Sequence, residues 1–128
     1  MNPFEQHGAL SWSELITSDP EAAKTFYGEL FGWTLKPRQM GRSVQNVIEV
    51  AGQEMGHIAP IPPSQPQMKS TWGTFITVDN VAETAAKATE LGGKVLMPPL
   101  TAPDVGTFAL IQDPQGALFA IVHYESAA

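Results

Sequence analysis

Glu14 is the residue of this chain whose type and setting most invite chemistry. It stands two positions after Trp12 in the run L-S-W-S-E-L-I-T, residues 10–17, whose β-branched and aromatic content reads as a strand. Faces repeat every two residues along a strand, so Trp12 and Glu14 share one. A carboxylate on the inward face of an otherwise apolar strand is costly unless it is paired or hydrated. It can accept a hydrogen bond, pair with a cation or act as a general base. It can also be a structural partner for Arg38, Arg42 or a backbone N–H. His57, in a strand expected over residues 53–59, is the histidine best placed to join it. His7 falls in the N-terminal arm and His123 near the C-terminal end, where exposure or a rim position is expected. No Ser-His-Asp spacing, phosphate-cradling glycine loop or paired-carboxylate motif is present.

Composition narrows the rest. The 128 residues suit one domain, or two small modules sharing a core. The formal charge is −6 and the seven Lys and Arg are scattered, which argues against a nucleic-acid partner because counterion release needs clustered cations. With no cysteine, disulfides, thiolate metal sites and a Cys nucleophile are all excluded. The first residues, M-N-P-F-E-Q-H-G-A-L, lack the basic and apolar regions of a signal peptide, and no apolar run has membrane-spanning length. The expectation is a cytoplasmic protein with no membrane partner.

Two elements must position Trp12, Glu14 and His57, and the chain contains them twice. I-T-S-D-P-E-A at 16–22 matches I-T-V-D-N-V-A at 76–82, and E-L-F-G at 29–32 echoes E-L-G-G at 90–93. In each copy a strand (residues 10–17 and 71–78) leads through an Asp, read as a helix N-cap, into a helix ended by Gly32 or Gly92. Pro20 at the first helical position and Glu21 strengthen the first start. Ala23, Phe26, Tyr27, Leu30 and Phe31 form one apolar stripe, so Phe26 and Tyr27 read as core. The second helix is poorer in large residues and should pack closer to its sheet. Three strands follow each helix: residues 33–38, 43–50 and 53–59, then 94–97, 106–112 and 117–123. Gly52 and the 114–116 segment mark hairpin turns. The order is βαβββ twice, a first module over 9–60, an extended Pro-rich linker over 61–69 and a second module over 70–124, within one domain of 1–128.

That duplication, the F-Y-x-x-L-F-G-W helix end at 26–33 and the D-P-x-G turn at 113–116 resemble the vicinal oxygen chelate superfamily of glyoxalases, extradiol dioxygenases and bleomycin resistance proteins. The resemblance implies an α+β fold: two βαβββ repeats forming a curled, open eight-stranded mixed sheet, helices on the convex face and a cleft on the other. Metal-dependent members hold a divalent cation there, on His, Gln or Glu. By the resemblance, three of the four ligand positions fall on Trp12, Gly73 and Ala120, and the fourth lies near His57 or Glu54. Indole, glycine and alanine offer a metal no donor. The expectation is therefore no metal and no cofactor, with Trp12, Glu14, His57, Gly73, Phe75 and Ala120 lining a cleft for a small organic molecule, Thr77 alongside, and Arg42 and Asp104 in loops at its rim. Leu118, Ala120 and Val122 should face the cleft and Phe119 and Ile121 the helices. The alternatives are a metal-dependent glyoxalase-like lyase or dioxygenase, and a metal-free acid–base enzyme using Glu14. A homodimer is expected, as in the family.

Overall fold

The computed structural model describes residues 1–40, 43–103 and 105–125. The described residues form eight strands and two helices with mixed pairing, the α+β fold expected. Two compact units divide it: a first unit, Trp12–Gly73, and a second made of Met1–Ser11 with the chain from Thr74 onward. No helix among the described residues is long and apolar enough to cross a membrane. Arg42 and Asp104 lie outside the described residues.

In the first unit β1 (Leu10–Thr17) leads to α1 (Pro20–Phe31), then β2 (Thr34–Met40), β3 (Ser43–Val50) and β4 (Gln53–Pro60). Its strands lie in the order β2-β3-β4-β1, with antiparallel β2·β3 and β3·β4 and parallel β4·β1. The Asp19 carboxylate caps α1 by accepting from Ala22 N at 3.0 Å, with Pro20 beside it. At the other end Gly32, at φ +71°, donates its N–H to Gly28 O.

The second unit repeats the pattern with β5 (Thr71–Thr77), α2 (Val81–Glu90), β6 (Lys94–Ala102), β7 (Gly106–Gln112) and β8 (Leu118–Tyr124), its strands ordered β5-β8-β7-β6. Here the cap is Asn80, accepting from Glu83 N at 2.9 Å, rather than the expected Asp79. The first helix is held to its start by Pro20. The second has no proline there and begins where Val81 can enter the core, 4% exposed. β6 also runs on through Pro98 and Pro99, past the end of the strand expected over 94–97. It is an edge strand with two register shifts, and an edge tolerates residues that cannot donate to a ladder. The Pro-rich linker turns twice, Gln65 N bonding Pro62 O and Met68 N bonding Gln65 O, where extended chain was expected.

Each helix covers one face of its sheet, with unequal fit. Against α2 lie Val78, Val81, Ala85, Ala109, Ile111 and Ile121, with Phe119 packed beside them, as the alternation of β8 requires. Small residues on α2 allow that close approach. On α1 no residue is fully buried. Only Ala23 and Tyr27 reach the cluster of Leu15, Ile48 and Ile58, and Tyr27 stacks on Trp33 at 5.5 Å with Trp72 edge-on at 5.4 Å. The far side of the stripe stays in solvent. Phe26, read as core, is 59% exposed, and Leu30 and Phe31 are nearly as open. Phe26→Ser is therefore expected to cost under about 1 kcal/mol in urea unfolding, against about 3–5 for a buried phenylalanine cut back to alanine.

Candidate functional site

The face of the first unit's sheet opposite α1 carries a cluster of bonded polar side chains. Parallel pairing sets Glu14 of β1 directly against His57 of β4, while Leu15 meets Ile58 on the helix side. Trp12, two residues before Glu14, falls on the Glu14 face by the strand's period. The three side chains form a chain of hydrogen bonds. Trp12 Nε1 donates to His57 Nδ1 at 2.8 Å, and His57 Nε2 lies 2.7 Å from Glu14 Oε2. The His57 side chain is 5% exposed and that of Glu14 24%, so the imidazole is sealed in while the carboxylate reaches solvent. Burying an imidazole this deeply is tolerable because both ring nitrogens have partners.

Gly56 is the residue that sequence reasoning missed. It pairs with Ser13 one step before Glu14 and His57, and a Cβ built on it would stand 2.2 Å from Ser13 O. Only a bare α-carbon lets β1 and β4 approach there. A glycine inside an apolar strand is the signal that could have found it.

The other expected residues are placed as follows. Gly73 ends the first unit, and a Cβ there would meet Glu14 O at an ordinary 3.9 Å. Phe75 and Ala120 belong to the second unit, where they are register partners in the parallel β5·β8 pair, and Ala120 is 7% exposed. In that unit Thr77 donates from its hydroxyl to Pro3 O at 2.6 Å, tying β5 to the N-terminal arm. Ser11 Oγ and the Tyr124 hydroxyl sit 2.6 Å apart beside it, and burial pushes the Tyr124 phenol up. Of the beyond-face positions on β8, Val122 is buried and Leu118 is exposed. A hollow of about 400 Å³ bordered by Lys24, Glu29, Trp33 and Leu35 lies between α1 and β2, on the helix side of the sheet.

Arg38, one candidate partner for Glu14, is engaged elsewhere. Its Nη1 donates to Glu54 Oε1 at 2.9 Å and its Nη2 to Glu54 Oε2. The Arg38 hydrogen bonds hold the Glu54 carboxyl below the usual carboxylate range, against a smaller opposing effect of burial. A lowered folded value means the pair stabilises above the unfolded carboxylate pKa, near 4.3, and that this is lost as pH falls below it. Both side chains are more than a third exposed to water or nearly so, which limits the effect to under about 1 kcal/mol. Glu54→Gln is expected to lower stability by that much at neutral pH and to change nothing at pH about 2, read by urea midpoints at the two pH values.

The donor set does not fit the family's divalent cation. Trp12, Gly73 and Ala120, the residues the resemblance assigns to three of its positions, have no metal donor in their side chains, both nitrogens of His57 are bonded, and Glu54 is held by Arg38. Among the described residues no group of three or more His, Cys, Asp or Glu is arranged to hold a metal.

A duplicated βαβββ unit defines the class, and comparison with known proteins agrees. The chain belongs to the Glyoxalase/Bleomycin resistance protein/Dioxygenase superfamily, whose family profile matches residues 9–121. It is 38% identical over 115 residues to a Mycobacterium tuberculosis protein provisionally named as the glyoxylase CFP32, covering 88% of this chain and 44% of that one. The anthracycline biosynthesis protein DnrV of Streptomyces peucetius is 28% identical over 127 residues, covering 89% of this chain and 46% of that one. The chain thus spans less than half the length of these relatives. Methylmalonyl-CoA epimerase from Mycobacterium tuberculosis shares the fold, with a TM-score of 0.67 at 15% identity over 93% of this chain and 89% of that one.

Proposed function

We propose that this protein binds a small organic molecule at the Glu14 face of its first unit, without a metal. The observation that carries the reading is the carboxylate itself: a buried histidine fixes it, and part of it remains open to solvent. A strand-borne acceptor held by a locked neighbour is pre-organised, so little ordering cost falls on binding. The family allows the reading, and the likeness to an anthracycline biosynthesis protein supports a small organic ligand. Gly73, in the same unit, remains part of the proposed lining. A second reading, acid–base catalysis by Glu14, draws on the same His57 contact, since a carboxylate steered by an imidazole can take up a proton from a bound substrate. A cytoplasmic homodimer completes the proposal, and light scattering on the purified protein decides the dimer.

The test is a thermal-shift screen of small organic molecules followed by titration of each hit against Glu14→Gln. That substitution keeps the shape and removes the charge, and is expected to weaken binding about 10- to 100-fold, the value of one charged hydrogen bond. A hit bound equally well by the variant would move the site elsewhere. Stoichiometric metal in protein purified without chelator, with a stability gain on adding Fe, Mn, Ni or Zn, would overturn the metal-free reading.

A further inference from the structure

Resting on that acceptor reading of Glu14, we propose that Trp12 is a positioning residue: its indole holds His57 as one neutral tautomer, which leaves Glu14 an unneutralised acceptor suited to a ligand that donates hydrogen bonds.

The proton assignment follows from what each group can do. An indole N–H donates and accepts nothing. Trp12 Nε1 lies 2.8 Å from His57 Nδ1, so Nδ1 must present its lone pair. A neutral imidazole then carries its proton on Nε2, which lies 2.7 Å from Glu14 Oε2. Oε2 accepts that proton's hydrogen bond. An imidazolium would aim a second N–H at the indole N–H, and with the ring 5% exposed water cannot relieve the clash. The short Glu14–His57 contact is therefore a hydrogen bond to a neutral ring rather than an ion pair. Trp12, His57 and Glu14 together carry one negative charge.

Among the described residues no Lys or Arg forms an ion pair with Glu14. On β2, Arg38 is taken by Glu54, and Lys36 pairs with Glu49. On the carboxylate, Oε1 and the second lone pair of Oε2 can accept from further donors. A ligand N–H or O–H meets them well, and a cationic N–H best, because bonds between ionised partners are the strong ones. A ligand carboxylate or phosphate sets like charge against like. A tryptophan that only filled space would leave the tautomer, and hence the polarity of the site, undetermined.

The wild-type protein provides the first test. Long-range ¹H–¹⁵N spectra from about pH 6 to 8, with the His57 signals assigned by their loss in His57→Gln, are expected to show the Nε2–H tautomer throughout. Trp12→Phe keeps a ring and removes the donor, and is expected to give mixed tautomers. A wild-type His57 found as Nδ1–H or as imidazolium at neutral pH overturns the proposal, as does an unchanged spectrum in Trp12→Phe. Should that variant not fold, the wild-type series decides alone. Calorimetric titration with benzamidine and benzoate, alike in shape and opposite in charge, tests the ligand class. Benzamidine is expected to bind at least about tenfold more tightly, with the preference erased in Glu14→Gln. Equal binding, or benzoate the tighter, overturns the ligand class. If neither probe binds while His57 shows the expected tautomer, the ligand class and the acceptor reading of Glu14 fall and the positioning role of Trp12 stands.

Discussion

Gly56→Ala is expected to destabilise the protein by about 3 kcal/mol or more and to disturb the Trp12–His57 contact with it. The added Cβ would stand 2.2 Å from Ser13 O and 3.1 Å from Ser13 C, both backbone atoms of a paired strand. No rotamer change can relieve a clash between main chains. β1 and β4 must part instead, lengthening the ladder that sets Glu14 against His57 at the next register pair. Urea unfolding reads the stability, and the Trp12 indole N–H resonance reads the contact. Gly28→Ala in α1 is the control of opposite sign. There a Cβ meets Leu35 Cδ1 and Trp33 O at 3.9 Å, and alanine should stabilise the helix by up to about 1 kcal/mol. Equal effects at the two glycines would show that the β1–β4 spacing is looser than described.

The second large effect is expected at His57. Leucine there fills similar space but takes the acceptor from Trp12 Nε1 and the donor from Glu14 Oε2. Two polar groups lose partners at a position 4% exposed, and a loss of about 2–4 kcal/mol follows. Glutamine, with one acceptor and one donor, should recover part of it. Glu14→Leu combined with His57→Leu should cost less than the sum of the two, because the second change removes a group already left unpartnered. Strict additivity in chemical unfolding would mean that the pair is not coupled.

Much of this architecture was legible in the residues. Pattern alone located β1, β3 and β7 at their observed bounds and α1 from its Asp-Pro start to its Gly32 stop, because alternation, caps and turns are local. The inward faces of β8 were legible for the same reason, with Phe119 and Ile121 toward α2. Where a neighbour decided the outcome, the pattern misled. Phe26 belongs to an apolar stripe wider than the strip of sheet that α1 meets, so it stays exposed. Pro98 and Pro99 lie past the end of the strand expected over 94–97, yet the edge position of β6 admits them.

The candidate site divides along the same line. Strand periodicity put Trp12 and Glu14 on one face, and that conclusion requires no more than the order of residues. Which histidine nitrogen meets which group depends on the register of β1 against β4, strands separated by a helix and a hairpin. A slip of one residue would turn His57 toward Tyr27 and the core, and Ile58 toward Glu14. Only the folded sheet, with Gly56 admitting Ser13 O, places the imidazole between indole and carboxylate.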